Sequence, residues 1–491
     1  MATQDGHGGV EYTEADERYL AERRLSRVAG PVLLWGLGVG SVISGEFFGW
    51  NFGLAAGGWG GLLIATIVMA TLYSTMMMSI AEMSTAMPVA GGPYAFARRA
   101  LGPWGGYMTG LAVIIEYVLA PAVIAVGIGG YIADIFLQPP PWVGTFLIPL
   151  IAYVIFVSIN LLGARESLTI LLGITVVSVA VLLVWGGAML PSFSVDNLLD
   201  IAPTGDNSAF LPFGFFGILA ALPAAGWFYL AIEDVPLAAE ETDNPASDLP
   251  KGMLLAMGSL ILFSMISLFL GPGAVGADAL QASGNPLPQA AQGAGGRGWV
   301  YWMTTVVGLT GLVASFFSII YAYSRQIFAL SRAGYLPTWL SKVNSRHAPY
   351  WALIVPGIVG FGTIQVVDFF NTSEEVVTGD LLIQLSVFAA LISYVLMMVS
   401  HLVLRRNEPD MERPYRTPGY PLTPIVAMTL AVIALFSSLF YQPQVAFMVG
   451  GVFVIYLIGL AYFGLYSRHR LVARAPEEEF ALIERAGHEI G

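Results

Sequence analysis

Twelve apolar stretches of membrane-crossing length run through this chain of 491 residues, at approximately 31–56, 60–86, 104–136, 142–162, 167–190, 210–239, 251–271, 299–330, 350–370, 379–404, 421–440 and 444–467. A helix needs about 20 apolar residues to cross the hydrocarbon of a bilayer. Soluble chains carry roughly 25% charged residues. Here only 11% are charged and 56% are hydrophobic, more apolar sequence than one soluble core can bury. The expected fold class is an all-α polytopic membrane protein of about twelve transmembrane helices, with the lipid bilayer as its surroundings. One transmembrane domain covers 31–467, between an N-terminal tail (1–30) and a C-terminal tail (468–491). The polar N-terminus has neither the apolar core nor the small-residue cleavage site of a signal peptide.

Orientation follows from the basic residues, which membrane proteins keep on the cytoplasmic side. With the N-terminus inside and the spans alternating, 20 of the 21 Lys and Arg residues fall in inside segments and only Arg297 falls outside. A miscount by one helix would scramble this sorting. Both tails are therefore expected in the cytoplasm and the chain in the cell (inner) membrane.

Several chemistries drop out early. The chain has no Cys, so disulfides and thiolate ligands are excluded. None of its five His lies near the middle of an apolar stretch, which argues against a His-based metal site. No Ser–His arrangement, metal-ligand cluster or phosphate loop is present. No enzyme activity, cofactor, metal or nucleic-acid partner is expected, and the oligomeric state is not legible.

The first and sixth spans are interrupted at corresponding places. The first holds Gly36, Gly38, Gly40 and Gly45, followed by Glu46. The sixth holds Pro223, Gly226 and then Glu233-Asp-Val-Pro236. The first opens one set of five spans and the sixth opens the next. Paired Gly/Pro-broken helices of this kind point to a five-plus-five inverted repeat with two extra C-terminal helices. Broken backbone is tolerated at membrane depth only where it is buried in protein or lines a cavity.

Charge at that depth is costly, about 2.5–3.5 kcal/mol on insertion scales. Glu46, Glu116 and Glu233 lie inside apolar spans, with Asp234 beside Glu233, and no Lys or Arg lies at comparable depth. They are protonated, face water or meet an arriving cation. The aromatic company favours a cation: Trp50 follows Glu46, Tyr117 follows Glu116, and Trp227 and Tyr229 precede Glu233. Aromatic faces attract ammonium groups by about 0.5–2 kcal/mol. Backbone carbonyls over Ser41, Val42, Ile43, Ser44 and Gly45 would accept from an –NH3+ head. Glu82, Glu240 and Glu241, at span ends, read as gating or structural residues, with Arg98 or Arg99 as a partner for Glu82.

Three segments carry a resemblance over nearly the whole chain. They are Ala81-Glu-Met-Ser-Thr-Ala-Met-Pro-Val-Ala-Gly-Gly-Pro-Tyr94, Ala239-Glu-Glu-Thr-Asp-Asn-Pro245 and Ser331-Arg-Ala-Gly-Tyr-Leu-Pro337. Together they resemble the signatures of the amino acid–polyamine–organocation superfamily. The resemblance implies twelve helices, the inverted-repeat fold and secondary transport by alternating access. Val42 to Leu54 and Trp227 to Glu241 look most like ethanolamine permeases, which typically carry Asp where this chain has Glu46 and often Gly where it has Asp234.

Amino-acid members of the superfamily usually place a Gly at position 46, whose N–H helps hold the substrate carboxylate. A carboxylate there instead would repel another at 4 Å by roughly 4 kcal/mol at an effective dielectric constant of about 20. The expected function is uptake of a small cationic amine, ethanolamine first. An amino-acid or polyamine permease is the alternative within the superfamily, and a cation channel the alternative from another class. The coupling ion stays open. Sodium-coupled relatives use helix-one carbonyls and helix-eight hydroxyls, where Ser315 and Ser318 stand here. Some proton-coupled relatives use a Lys in helix five, and this fifth span has none. A proton on Glu46, Glu116 or Glu233, and exchange without an ion, are the other arrangements.

Overall fold

The computed structural model describes residues 4–6, 10–12, 27–89, 91–135, 140, 142–371, 378–438, 443–473, 475 and 478. Arg18, Arg23, Arg24, Glu374, Glu375, Arg474 and Arg485, and with them most of both tails, lie outside these residues. A short antiparallel pair joins Gln4–Gly6 to Val10–Tyr12. Apart from loops and turns, the rest of the described chain is helical, as the apolar pattern demands.

Ten of the described helices are long and apolar enough to cross a membrane: Phe52–Ala86, Pro93–Ala133, Val143–Asn160, Ser167–Ser192, Gly214–Glu241, Pro245–Val275, Trp299–Arg332, Tyr350–Phe370, Thr378–Asn407 and Val445–His469. Two shorter apolar helices, Pro31–Phe47 and Leu422–Ser437, complete the twelve spans. We number them one to twelve in chain order.

The largest differences from the sequence reading fall in the first three spans, each for a backbone reason. The first span stops at Phe47 rather than 56, because Phe48 turns extended (φ −158°, ψ 143°) and Gly49 takes φ +97°, a conformation that glycine adopts without a Cβ clash. Residues 52–57 instead open the second span, which kinks at Gly58 (φ +68°). The third span begins at Pro93 rather than 104 and kinks at Gly102 (φ +80°). Its first turns therefore carry Arg98 and Arg99 outside the main helix axis. The sixth span begins at Gly214 and is broken after Trp227.

Packing is densest between the third and tenth spans and between the second and sixth. The first span lies between the fifth, seventh and eighth. One continuous hydrophobic core runs through all of these spans. Large apolar side chains on the fourth, fifth, ninth and twelfth spans, such as Val154, Val176, Phe369 and Phe447, remain exposed on the outer surface, as helices facing lipid require.

One end of the bundle gathers its basic residues into ion pairs. Arg325 meets Glu241 at 3.0 Å, Arg332 meets Glu240 at 2.5 Å, Arg98 meets Glu478 at 2.6 Å and Arg99 meets Glu408 at 2.7 Å.

Candidate functional site

The site forms where the two broken spans cross. Helix Pro31–Val42 turns once at Ile43 and continues as Ser44–Phe47 before the chain leaves helical geometry. In the sixth span the helix ends at Trp227, Phe228 to Ala231 form a turn, and a tight 3-10 helix runs over Ile232–Glu241. Ala231 sits at φ +74°, ψ +11°, a left-handed conformation that costs an L-residue about 1–2 kcal/mol. Fully buried packing holds it there.

The breaks touch through backbone. A Cβ on Gly45 would lie 2.5 Å from the Trp227 carbonyl oxygen, so glycine is required for the approach. The carbonyls loosened by the break are then met by side chains. Trp50 Nε1 donates to Glu46 O (3.1 Å), Trp227 Nε1 to Phe48 O (2.9 Å) and the Tyr131 hydroxyl to Phe47 O (2.8 Å). Ser315 Oγ donates to Gly40 O (2.7 Å) and accepts from Ser44 N (2.8 Å). Ser41 Oγ and Ser318 Oγ are 2.5 Å apart, and Ser41 Oγ also donates to Leu37 O. The Ile43 and Ser44 carbonyls accept from Glu46 N and Phe48 N, leaving each a second lone pair. Trp50, singled out in the sequence as an aromatic neighbour of Glu46, stacks on Phe228 at 5.9 Å and, like Trp227, also ties down the broken backbone.

Glu46, Glu116, Glu233 and Asp234 are all fully buried. Both carboxylate oxygens of Glu46, Glu116 and Asp234, and Oε2 of Glu233, have no hydrogen-bond donor. Glu116 lies on the third span, where its backbone carbonyl accepts from Ser386 of the tenth span (3.4 Å), the span that also carries Tyr394. The Tyr394 hydroxyl donates to Glu233 Oε1 at 2.6 Å and lies 3.3 Å from that of Tyr73. Tyr73 packs on Tyr229 (5.6 Å between rings), whose hydroxyl lies 2.7 Å from Ser264 Oγ. A run of tyrosines, Tyr229, Tyr73 and Tyr394, thus leads to Glu233.

Among the described residues, no Lys, Arg or His forms an ion pair with these four acids. Several kcal/mol per ion is the usual penalty for burying a charge without compensation. The arrangement therefore calls for positive charge that arrives from solution, as a proton or a cation. No group of three or more His, Cys, Asp or Glu suited to hold a metal occurs among the described residues.

All twelve residues singled out in the sequence are buried at or beside this crossing: Ser41, Val42, Ile43, Ser44, Gly45, Glu46, Trp50, Glu116, Tyr117, Trp227, Tyr229 and Glu233. Sequence reasoning passed over Tyr73 and Tyr394. Their only signal was a polar tip in the middle of an apolar span. Asp234 was noticed only as the neighbour of Glu233.

The expected pairing of Glu82 with Arg98 or Arg99 does not form. Glu82 is instead held by Arg405 (2.6 Å), Arg413 (3.0 Å) and His401 (3.3 Å), and accepts from Thr417 N at 2.7 Å. The kink at Gly102 and the ion pairs to Glu408 and Glu478 occupy Arg98 and Arg99 elsewhere. His401, near the end of the tenth span, is fully buried in this cluster.

The sequence profile of amino acid permeases matches residues 33–481. The chain belongs to the amino acid permease family. An uncharacterized transporter of Rhizobium meliloti (strain 1021) is 30% identical, over 92% of this chain and 95% of its own length. The branched-chain amino acid permease BcaP of Bacillus subtilis (strain 168) is also 30% identical, over 91% and 94%. The methylthioribose transporter of the same strain is 26% identical, over 91% and 94%. The permease is therefore a membrane transporter and not an enzyme.

Proposed function

We propose that this permease takes up a small cationic amine lacking a carboxylate, with ethanolamine the first candidate, by alternating access at the crossing of its first and sixth spans. The observation that carries this reading is Glu46, fully buried with both carboxylate oxygens free of donors. An ammonium group supplies three donors and a charge to such a carboxylate. A substrate carboxylate brought to the same place meets repulsion of roughly 4 kcal/mol at 4 Å and an effective dielectric constant of about 20. Tyr229 and Trp50 give the amine aromatic walls. On this reading the end of the bundle rich in arginine faces the cytoplasm, both tails lie there, and the chain resides in the inner membrane.

The relatives' names favour a second reading, an amino-acid permease whose Glu46 is protonated. Uptake of radiolabelled ethanolamine into proteoliposomes separates the two. Saturable uptake, blocked by small amines but not by amino acids and lost in Glu46→Gln, supports the amine reading. No ethanolamine uptake, with branched-chain or aromatic amino acids transported instead, overturns it.

A further inference from the structure

Glu46 accounts for the charged end of an amine and leaves the other end, a hydroxyl in ethanolamine, without a partner. The seventh span lies level with Glu46. It runs beside the first span in the same direction, and three close approaches set their register. A Cβ on Gly252 would lie 2.6 Å from Leu34 Cβ, one on Gly38 2.9 Å from Ala256 Cβ, and one on Gly271 3.5 Å from the Trp50 ring. Glu46 precedes Trp50 by four residues, and Ser267 precedes Gly271 by four. Helix Ser44–Phe47 packs directly against the seventh span. Residues three and four apart share one face of a helix, so Ser264, Ser267 and Gly271 form a stripe beside Glu46 and Trp50.

The hydrogen bonds of that stripe are uneven. A serine inside an apolar helix can donate to a carbonyl one turn back. Ser259 and Ser264 do so, to Leu255 O (2.9 Å) and Ile261 O (3.0 Å). Ser267 does not: its Oγ is fully buried and has no hydrogen-bond partner among the described residues. Because the Ser264 proton goes to Ile261 O, the Tyr229 hydroxyl, 2.7 Å from Ser264 Oγ, is the donor of that pair. The Tyr229 oxygen keeps a lone pair for a further donor.

We propose that Ser267 and Tyr229 read the hydroxyl of the substrate: Ser267 Oγ donates to the substrate oxygen, and the substrate O–H donates to the Tyr229 oxygen. This deepens the amine reading and rests on it for the choice of ethanolamine. Ser267 gains the partner that its own helix does not supply. The Tyr229–Ser264 bond survives and holds the phenol in place, which makes Ser264 a positioning residue. Propylamine, the same shape with a methyl in place of the hydroxyl, leaves Ser267 buried without a partner. Sites built to hydrogen-bond a substrate hydroxyl reject the analogue lacking it far more strongly than apolar pockets reject an added one. Ser267 and Tyr229 therefore choose among amines, while Glu46 turns away carboxylates.

The test uses the purified full chain in proteoliposomes and measures inhibition of tracer ethanolamine uptake by unlabelled ethanolamine and by propylamine. Wild type is expected to favour ethanolamine by at least about tenfold. Ser267→Ala is expected to bring the two inhibition constants within about a factor of two, by weakening ethanolamine and not propylamine, with an unfolding temperature no lower than that of wild type. Ser267→Thr, which keeps the hydroxyl, is expected to retain the preference. A purely structural role would move both amines together. Equal inhibition by the two amines in wild type, or a preference that survives in Ser267→Ala, overturns the proposal. If ethanolamine is not transported but branched-chain amino acids are, the amine reading fails, and threonine against valine, the same exchange of hydroxyl for methyl, judges the hydroxyl site. A threonine preference lost in Ser267→Ala upholds it; no such preference in wild type, or one that survives the substitution, overturns it. Should Ser267→Ala lose its monodisperse elution peak, Tyr229→Phe decides by the same comparison.

Discussion

Gly45 and Trp227 meet with no space for a side chain between them: a Cβ on Gly45 would sit 2.5 Å from the Trp227 carbonyl oxygen. That oxygen belongs to the last helical residue before the sixth-span break. The contact therefore sets how closely the two broken helices cross.

Gly45→Ala should push the spans apart. Overpacking of this kind costs about 1–3 kcal/mol, and uptake is expected to fall more than tenfold. Gly187→Ala is the control, since nothing would lie within 4 Å of a Cβ added there and alanine is the better helix former by about 1 kcal/mol. Thermal unfolding of both variants in detergent, alongside uptake, checks the pair. A wild-type uptake rate in Gly45→Ala would show that the crossing has slack.

Trp50 and Trp227 tether the broken backbone of the first span. Replacing either by Phe keeps an aromatic face but leaves the Glu46 or Phe48 carbonyl without its donor. An unsatisfied buried acceptor costs about 1–3 kcal/mol. Both variants should lose stability, with Trp227→Phe affected the more because its bond joins the sixth span to the first. A loss of substrate affinity with unchanged unfolding temperature would assign the indoles to the substrate alone.

The pair Arg325–Glu241 should be far more sensitive than its length suggests. Both side chains are fully buried, at 1% and 0% exposure, and the guanidinium lies 3.8 Å from the centre of the Tyr321 ring. Arg325→Met leaves a carboxylate stranded, an effect of about 3–5 kcal/mol where such pairs are broken. Adding Glu241→Leu should recover much of that loss. If the double variant is less stable than Arg325→Met alone, the charge on Glu241 has another partner.

What the sequence made legible was set by cost. A glutamate in an apolar span is expensive enough to stand out, so Glu46, Glu116 and Glu233 were visible, as were the glycines and prolines that break the first and sixth spans. Tyrosine is cheap at the same depth, so Tyr73 and Tyr394 gave no warning that they would lead to Glu233. Boundaries failed where a single glycine at positive φ redirected the chain: Gly49 ended the first span early and Gly102 separated Arg98 and Arg99 from the helix that follows. Arg405 and Arg413 lie more than 300 positions from Glu82, a separation that no local pattern encodes.

The Glu82 cluster also supplies a test in which neighbouring arginines should behave differently. Glu82 holds Arg405 and Arg413 and accepts from Thr417 N, so it clamps the segment after the tenth span onto the end of the second. Arg413 in turn donates to the carbonyls of Leu404, Glu408, Pro409 and Met411, which makes it the knot of that segment. Glu82→Gln removes the charge that both arginines face and should loosen the clamp. Thr85 lies buried beneath it, where its Oγ accepts from Tyr415 N, and the chain has no native Cys. Thiol labelling of Thr85→Cys should therefore quicken about tenfold when Glu82→Gln is added. Arg98→Ala should leave that rate within a factor of two, because Arg98 serves Glu478 instead. Equal acceleration by the two changes would mean that the cluster and the Arg98 contact open together as one gate.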